Sequence, residues 1–110
     1  MTKEDQKAVS EFDDKVNMTP KKLESWLETE ESRGVGYKDP EGTESVGHRS
    51  GRRIVELLEK NKADYTESDL KHINKVVGFI HRHLAQRPEG DITETNWRYS
   101  LMNWGHDPAK

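Results

Sequence analysis

The residues best placed to do chemistry in this sequence are the cations of the segment Leu70–Pro88. On a helical wheel of about 100° per residue, Lys71, Lys75, Arg82 and Gln86 share an arc of roughly 120° with His72, Phe79 and His83. Leu70, Ile73, Val76, Val77, Ile80 and Leu84 lie opposite. The 19 residues from Leu70 to Pro88 hold no Asp or Glu, although 21 of the 110 residues are acidic. A basic face with one aromatic suits a helix laid against phosphates, with Phe79 free to stack or wedge. Gly78 adjoins this face, and a helical glycine often marks a close approach of another backbone. The competing reading is a solvated polar face, with Phe79 and Gly78 in a helix–helix contact.

A second basic cluster is Gly47-His48-Arg49-Ser50-Gly51-Arg52-Arg53. Three arginines near a helix start oppose the helix macrodipole, so something negative should compensate them. Arg52 and Arg53 could hold a phosphate there, together with free backbone N–H groups. Internal ion pairs to the acidic first half, for example to Glu41 or Glu44, are the alternative.

Catalytic and metal-binding patterns fail on inspection. Gly42 and Gly47 have P-loop spacing, but His48-Arg49 stand where Lys-Ser/Thr belong and no strand precedes them. Gly34-Val35-Gly36 lacks the third glycine of a dinucleotide fingerprint. Gly47–Gly51 does not place serine at the centre of a nucleophile elbow. A Ser–His pair could arise only by proximity in the fold. His81 and His83 are two apart on a helix and cannot chelate one ion together. His81, at the edge of the apolar arc, is expected to be partly buried and hydrogen-bonded. His106 reads as a turn or capping residue. No catalytic residue, metal or cofactor is expected.

These residues must be positioned by helices, because no strand pattern competes. The first is read at about 4–17, with Val9, Phe12 and Val16 on one face. The second starts at Pro20 behind Thr19 and carries Leu23, Trp26 and Leu27. A long Gly-rich loop over 30–48 follows; a loop of that length is usually functional or mobile. The third helix starts between Ser45 and Ser50 and runs to about Lys60. The fourth is capped by Thr66 with Asp69 three residues on. The fifth is read from Asp91 as cap and Glu94, with Trp97, Leu101 and Trp104 on its core face. It stops at Gly105. Tyr99 and Arg98 fall off that face and are expected at the surface. An all-α, single compact bundle of about five helices over 1–110 results, with 1–5 and 109–110 expected to fray.

Composition narrows the class. The chain has no Cys, a net charge of −3 and a mean hydropathy of −1.11. Disulfides and thiolate zinc sites are therefore excluded. The opening MTKEDQKAVS lacks an apolar run, so no signal peptide is read. No stretch is long and apolar enough for a membrane span, and the cytoplasm is the expected location. Residues 1–46 carry 7 Lys/Arg and 12 Asp/Glu, whereas 47–110 carry 11 and 9 with all five His. Either the two halves neutralise each other in the fold or the basic half faces an anion.

The segments NMTPKKLESWLE, SVGHRSGRRIVELL, VVGFIHRHLAQRP and WRYSLMNWGHDP resemble a known family of small bacterial and fungal proteins, the domain of unknown function 3140 family. The resemblance covers about residues 11–108. It implies a DNA-binding role but supplies no mechanism and no catalytic or binding residues. Where the family often has an acidic residue, this chain has Arg49, which favours Arg52 and Arg53 as ligands. The leading expectation is a non-enzymatic binder of DNA or another polyanion through Lys71, Lys75, Phe79, Arg82, Arg52 and Arg53. The alternative is a protein-interaction module or homodimer using exposed aromatics and the 30–51 loop.

Overall fold

A computed structural model describes residues 1–38, 42 and 44–110. Six α-helices and one short 3-10 turn make up the regular structure of the described residues, with no strand. The helices are α1 (Lys3–Lys15), α2 (Pro20–Leu27), α3 (Glu30–Gly34), α4 (Val46–Glu59), α5 (Glu67–Leu84) and α6 (Asn96–Asn103). A bundle of helices is thus what the apolar spacing leads to.

Each helix starts at a Ser or Thr whose hydroxyl accepts a backbone N–H of the first turn: Thr2, Thr19, Thr29, Ser45, Thr66 and Thr95. Such caps satisfy donors that the helix itself cannot. At α1 and α5 the third residue returns the bond: Asp5 accepts the N–H of Thr2 and Asp69 that of Thr66.

Three boundaries differ from the sequence reading. The last helix starts at Asn96 behind Thr95, not behind Asp91. Asp91 instead closes a turn of its own, accepting the N–H of Thr93 at 2.9 Å; a short side chain bonding two residues ahead competes with capping. The segment 30–48 is also not all loop, since Thr29 caps α3 and Ser45 starts α4. Finally, α1 stops at Lys15 because Asn17 is engaged elsewhere. Its backbone N–H donates to the Gly105 carbonyl at 3.1 Å. Its side chain exchanges bonds with the Asp107 backbone at 2.8 and 3.0 Å.

Packing follows two helix pairs, α1 on α5 and α2 on α4, with α6 lying against α2, α3, α4 and α5. Phe12, Leu23, Ile54, Ile73, Val76, Ile80 and Leu101 are fully buried between them. Truncating such a side chain to alanine costs about 2–5 kcal/mol. α6 fits closely because α4 presents Gly47 and Gly51, one turn apart. A Cβ at Gly51 would meet the Asn103 carbonyl at 2.5 Å, and one at Gly47 the Trp104 indole nitrogen at 3.0 Å.

Asn103 joins three helices from a position 1% exposed. Its Oδ1 accepts from the Trp26 indole at 2.8 Å and from the Ser32 hydroxyl, and its Nδ2 donates to the Ser32 carbonyl at 2.9 Å. A buried amide with these bonds filled fixes one arrangement of α2, α3 and α6.

Candidate functional site

The two arcs of α5 separate into three surfaces once its neighbours are present. Leu70, Ile73, Val76, Val77, Ile80 and Leu84 face the interior, as their spacing requires. Lys71, Lys75, Arg82 and Gln86 are exposed. Between these faces, His72, Phe79 and His83 are half-buried against α6.

Those three rings interleave with Trp97 and Trp104. Phe79 lies 4.3 Å from Trp104 and 5.0 Å from His83, with interplanar angles of 14° and 16°. His83 in turn stacks on Trp97 at 6.0 Å, and His72 on Trp104 at 6.4 Å. The spacing that builds this column is seven residues on each helix, 72–79 and 97–104. Arg87 closes one end, 5.6 Å over the Trp97 ring. His83 and Trp97 also tie each other: the indole donates to the His83 carbonyl at 2.7 Å, and the His83 Nε2–H donates to the Trp97 carbonyl at 3.2 Å.

Burial drives the His72 pKa down to about 4, with help from the nearby Arg53 and Lys75 charges. Burial also lowers that of His83. Both rings are therefore neutral members of an aromatic stack rather than part of the cationic face. Phe79 is covered on its two faces by Trp104 and His83, so its edge is what it offers a ligand.

That edge forms part of a pocket of about 270 Å³, lined by Gly36, Tyr37, Val46, Gly47, Lys75, Phe79, Arg82, Ser100, Asn103 and Trp104. Its walls come from α4, α5, α6 and the segment after α3. Tyr37 stands at this pocket and is 68% exposed. Its carbonyl accepts the Val46 N–H at 2.8 Å, which pins the residue to the start of α4. The indole N–H groups of Trp26 and Trp97 have acceptors. That of Trp104 has none among the described residues and lies beside Gly47 in the pocket wall. Arg82 folds back along its own helix: a Cβ at Gly78 would sit 3.0 Å from the Arg82 Nη1. Gly78 thus makes room for a side chain, not for another backbone.

Among the described residues, no carboxylate lies within ion-pair distance of Lys71, Lys75 or Arg82. The arginines of α4 are placed differently. Arg52 forks onto Glu44 through Nε at 2.8 Å and Nη2 at 2.5 Å, and Arg49 approaches the same carboxylate at 3.8 Å. His48 Nδ1 also bonds Glu44, while its Nε2 faces the Leu27 carbonyl at 2.6 Å. The Arg52 hydrogen bonds lead in lowering the Glu44 pKa to about 2. Arg53 reaches Ser68 at 2.8 Å and Asp69 at 3.3 Å. Asp69 also takes Lys60 at 2.5 Å, the largest cause of its strongly lowered pKa. The cluster at the start of α4 is thus compensated from within, by Glu44 and Asp69. The other partner expected for it, Glu41, lies outside the described residues.

The remaining titratable and aromatic residues have local roles. His81 is exposed, 4.0 Å from Glu11, rather than partly buried. His106 bonds the Lys15 carbonyl at 2.6 Å. Tyr99 and Arg98 are half-buried rather than at the surface, Tyr99 against Trp26 at 5.4 Å and Arg98 on Asp107 at 3.1 Å. A Ser–His pair does form, Ser50 Oγ to His72 Nε2 at 2.9 Å, but Ser50 is 3% exposed and cannot meet a substrate. No group of three metal-ligating side chains occurs among the described residues. No described helix is long and apolar enough to cross a membrane.

Sequence reasoning missed Tyr37, the Trp104 N–H and Asn103. Tyr37 belongs to no periodic pattern. The place of that N–H follows from Gly47 meeting Trp104, a contact between residues far apart in the chain.

The family described as "Protein of unknown function (DUF3140)" matches residues 11–102. The chain belongs to this family. No curated protein and no solved structure matches it.

Proposed function

We propose that this protein binds DNA or another polyanion, without catalysis, through the outer face of α5. The observation that supports this reading is the trio Lys71, Lys75 and Arg82. They share one exposed helix face and have no carboxylate partner among the described residues, whereas the arginines of α4 are paired. Cations held apart from their own acids keep their charge available to phosphates. Binding then draws on release of the counterions condensed on the nucleic acid. The net charge of −3 disfavours indiscriminate contact and confines binding to this face.

Arg52 and Arg53 contribute little to this surface while Glu44 and Asp69 hold them. Phe79 contributes as wall rather than as wedge. Among described large hydrophobic residues, only Met1 and Tyr37 are exposed, which offers little apolar area to a protein partner or second copy.

The test is fluorescence anisotropy of labelled duplex DNA at about 50 and about 200 mM salt. Micromolar or tighter binding that weakens steeply with salt is expected. No binding at the lower salt would rule out the nucleic-acid reading.

A further inference from the structure

We infer that the pocket between Tyr37, Trp104 and Phe79 receives one unpaired nucleotide of a bound strand, its base inside and its phosphate on Lys75 and Arg82. This rests on the nucleic-acid reading of α5 and goes further, because it selects among nucleic acids.

Four features converge on that ligand. The cavity, about 270 Å³, approaches the lower end of the range that small organic ligands occupy. Its floor is apolar: the edge of Phe79, the Trp104 indole and Val46. Tyr37 is held by its backbone at the start of α4 with its ring exposed, the arrangement of a stacking platform. Lys75 and Arg82 line the same pocket, two charged donors with no acid against them among the described residues.

The Trp104 N–H, without an acceptor among the described residues, adds a neutral donor in the wall and Ser100 a hydroxyl. Asn103 contributes surface only, since both ends of its amide are engaged by Trp26 and Ser32. An apolar slot with donors on its walls and cations beside it suits a flat heteroaromatic ring joined to an anion. A base within a duplex is stacked and paired and cannot enter. An unpaired base can be turned out at little cost. Lys71, one turn from Lys75 on the exposed face, would follow the backbone of the neighbouring nucleotide.

The experiment compares a blunt duplex with the same duplex carrying one unpaired thymidine, by anisotropy at low salt. The unpaired thymidine is expected to raise affinity roughly tenfold, the scale of one base–aromatic stack. Tyr37→Ala is expected to abolish that gain while leaving the blunt duplex unchanged, and Tyr37→Phe to keep it. The exposed position of Tyr37 leaves both variants folded, which a thermal melt would verify. Equal affinity of wild type for the two probes would overturn the pocket assignment and leave the α5 face intact. No binding of either probe would overturn both. Displacement of the strand by micromolar thymidine monophosphate would overturn the assignment differently, making the pocket a site for free nucleotides.

Discussion

Helices α4 and α5 carry similar numbers of cations, and the fold treats them in opposite ways. On α4, Arg49, Arg52 and Arg53 meet carboxylates supplied by the residue before the helix cap and by the first turn of α5. On α5, Lys71, Lys75 and Arg82 find none among the described residues. Arg49 stands at the end of the first turn of α4 and Arg52 and Arg53 in its middle, and Glu44 and Asp69 supply their counter-charges. On α5 the first turn carries Glu67 and Asp69, Lys71 and Lys75 follow it, and Arg82 sits in the last turn, where the macrodipole favours a cation, so these charges need no acid beside them. Cation density alone therefore says little about an anion site; the position of the nearest acid decides.

His72 ties the two helices together, and it gives the largest expected effect. Its folded pKa of about 4 lies below its ordinary value of 6.5, so the unfolded chain takes up a proton first. Stability is complete above pH 6.5 and falls as pH drops from there toward 4, by about 3 kcal/mol at most. Denaturant melts between pH 7 and 4 would measure this, and His72→Gln should flatten that part of the profile. An unchanged pH profile in the variant would mean the ring column tolerates a charged histidine.

Next in size is the loss of the α5 cations. Lys71→Ala with Lys75→Ala should weaken duplex binding about thirtyfold at low salt, at ~1 kcal/mol per contact, and reduce the salt slope by about two. A slope equal to wild type would remove both lysines from the interface.

On the α4 side, Asp69→Ala should cost about 1–2 kcal/mol of stability, because it removes the reciprocal cap of Thr66 and strands Lys60. Duplex affinity should not fall with it. A parallel loss of binding would show that the α4 pairs also serve the interface.

The smallest effect is the most direct test of the comparison. Glu44→Gln releases Arg52 and Arg49, and polyanion affinity should rise a few-fold with a salt slope steeper by about one. The exposed guanidinium limits the stability cost to roughly 1 kcal/mol. Unchanged binding would mean that geometry, not the carboxylate, keeps α4 away from phosphates.

Much of the architecture was readable from local signals. Thr19-Pro20 and Thr66 with Asp69 mark helix starts through bonds made within three residues, and the apolar ladder of α5 needs only its own period. The misses arose where a local signal had a competitor or a distant partner. Asp91 looks like a cap but closes a turn on Thr93. α3 has five residues and no apolar repeat, so only its cap announces it. On the candidate site, the wheel grouped His72, Phe79 and His83 with the lysines because it assigns angles and not coverings. Trp97 and Trp104 arrive from another helix and claim those rings. The exposure of Lys71, Lys75 and Arg82 did follow from the wheel, which set them opposite the apolar ladder.

The bonds between Asn17 and Asp107 join residues 90 apart in the chain. Closing so long a loop costs on the order of 4 kcal/mol in chain entropy, and that cost is met before the contact returns anything. Most helical bundles rely on neighbours close in sequence and fold fast. Here α1 waits for α5, and the turn after α1 waits for the residues beyond α6. The route to the native state should therefore be slow for a helical protein of this size, with refolding rates nearer those of mixed α/β domains.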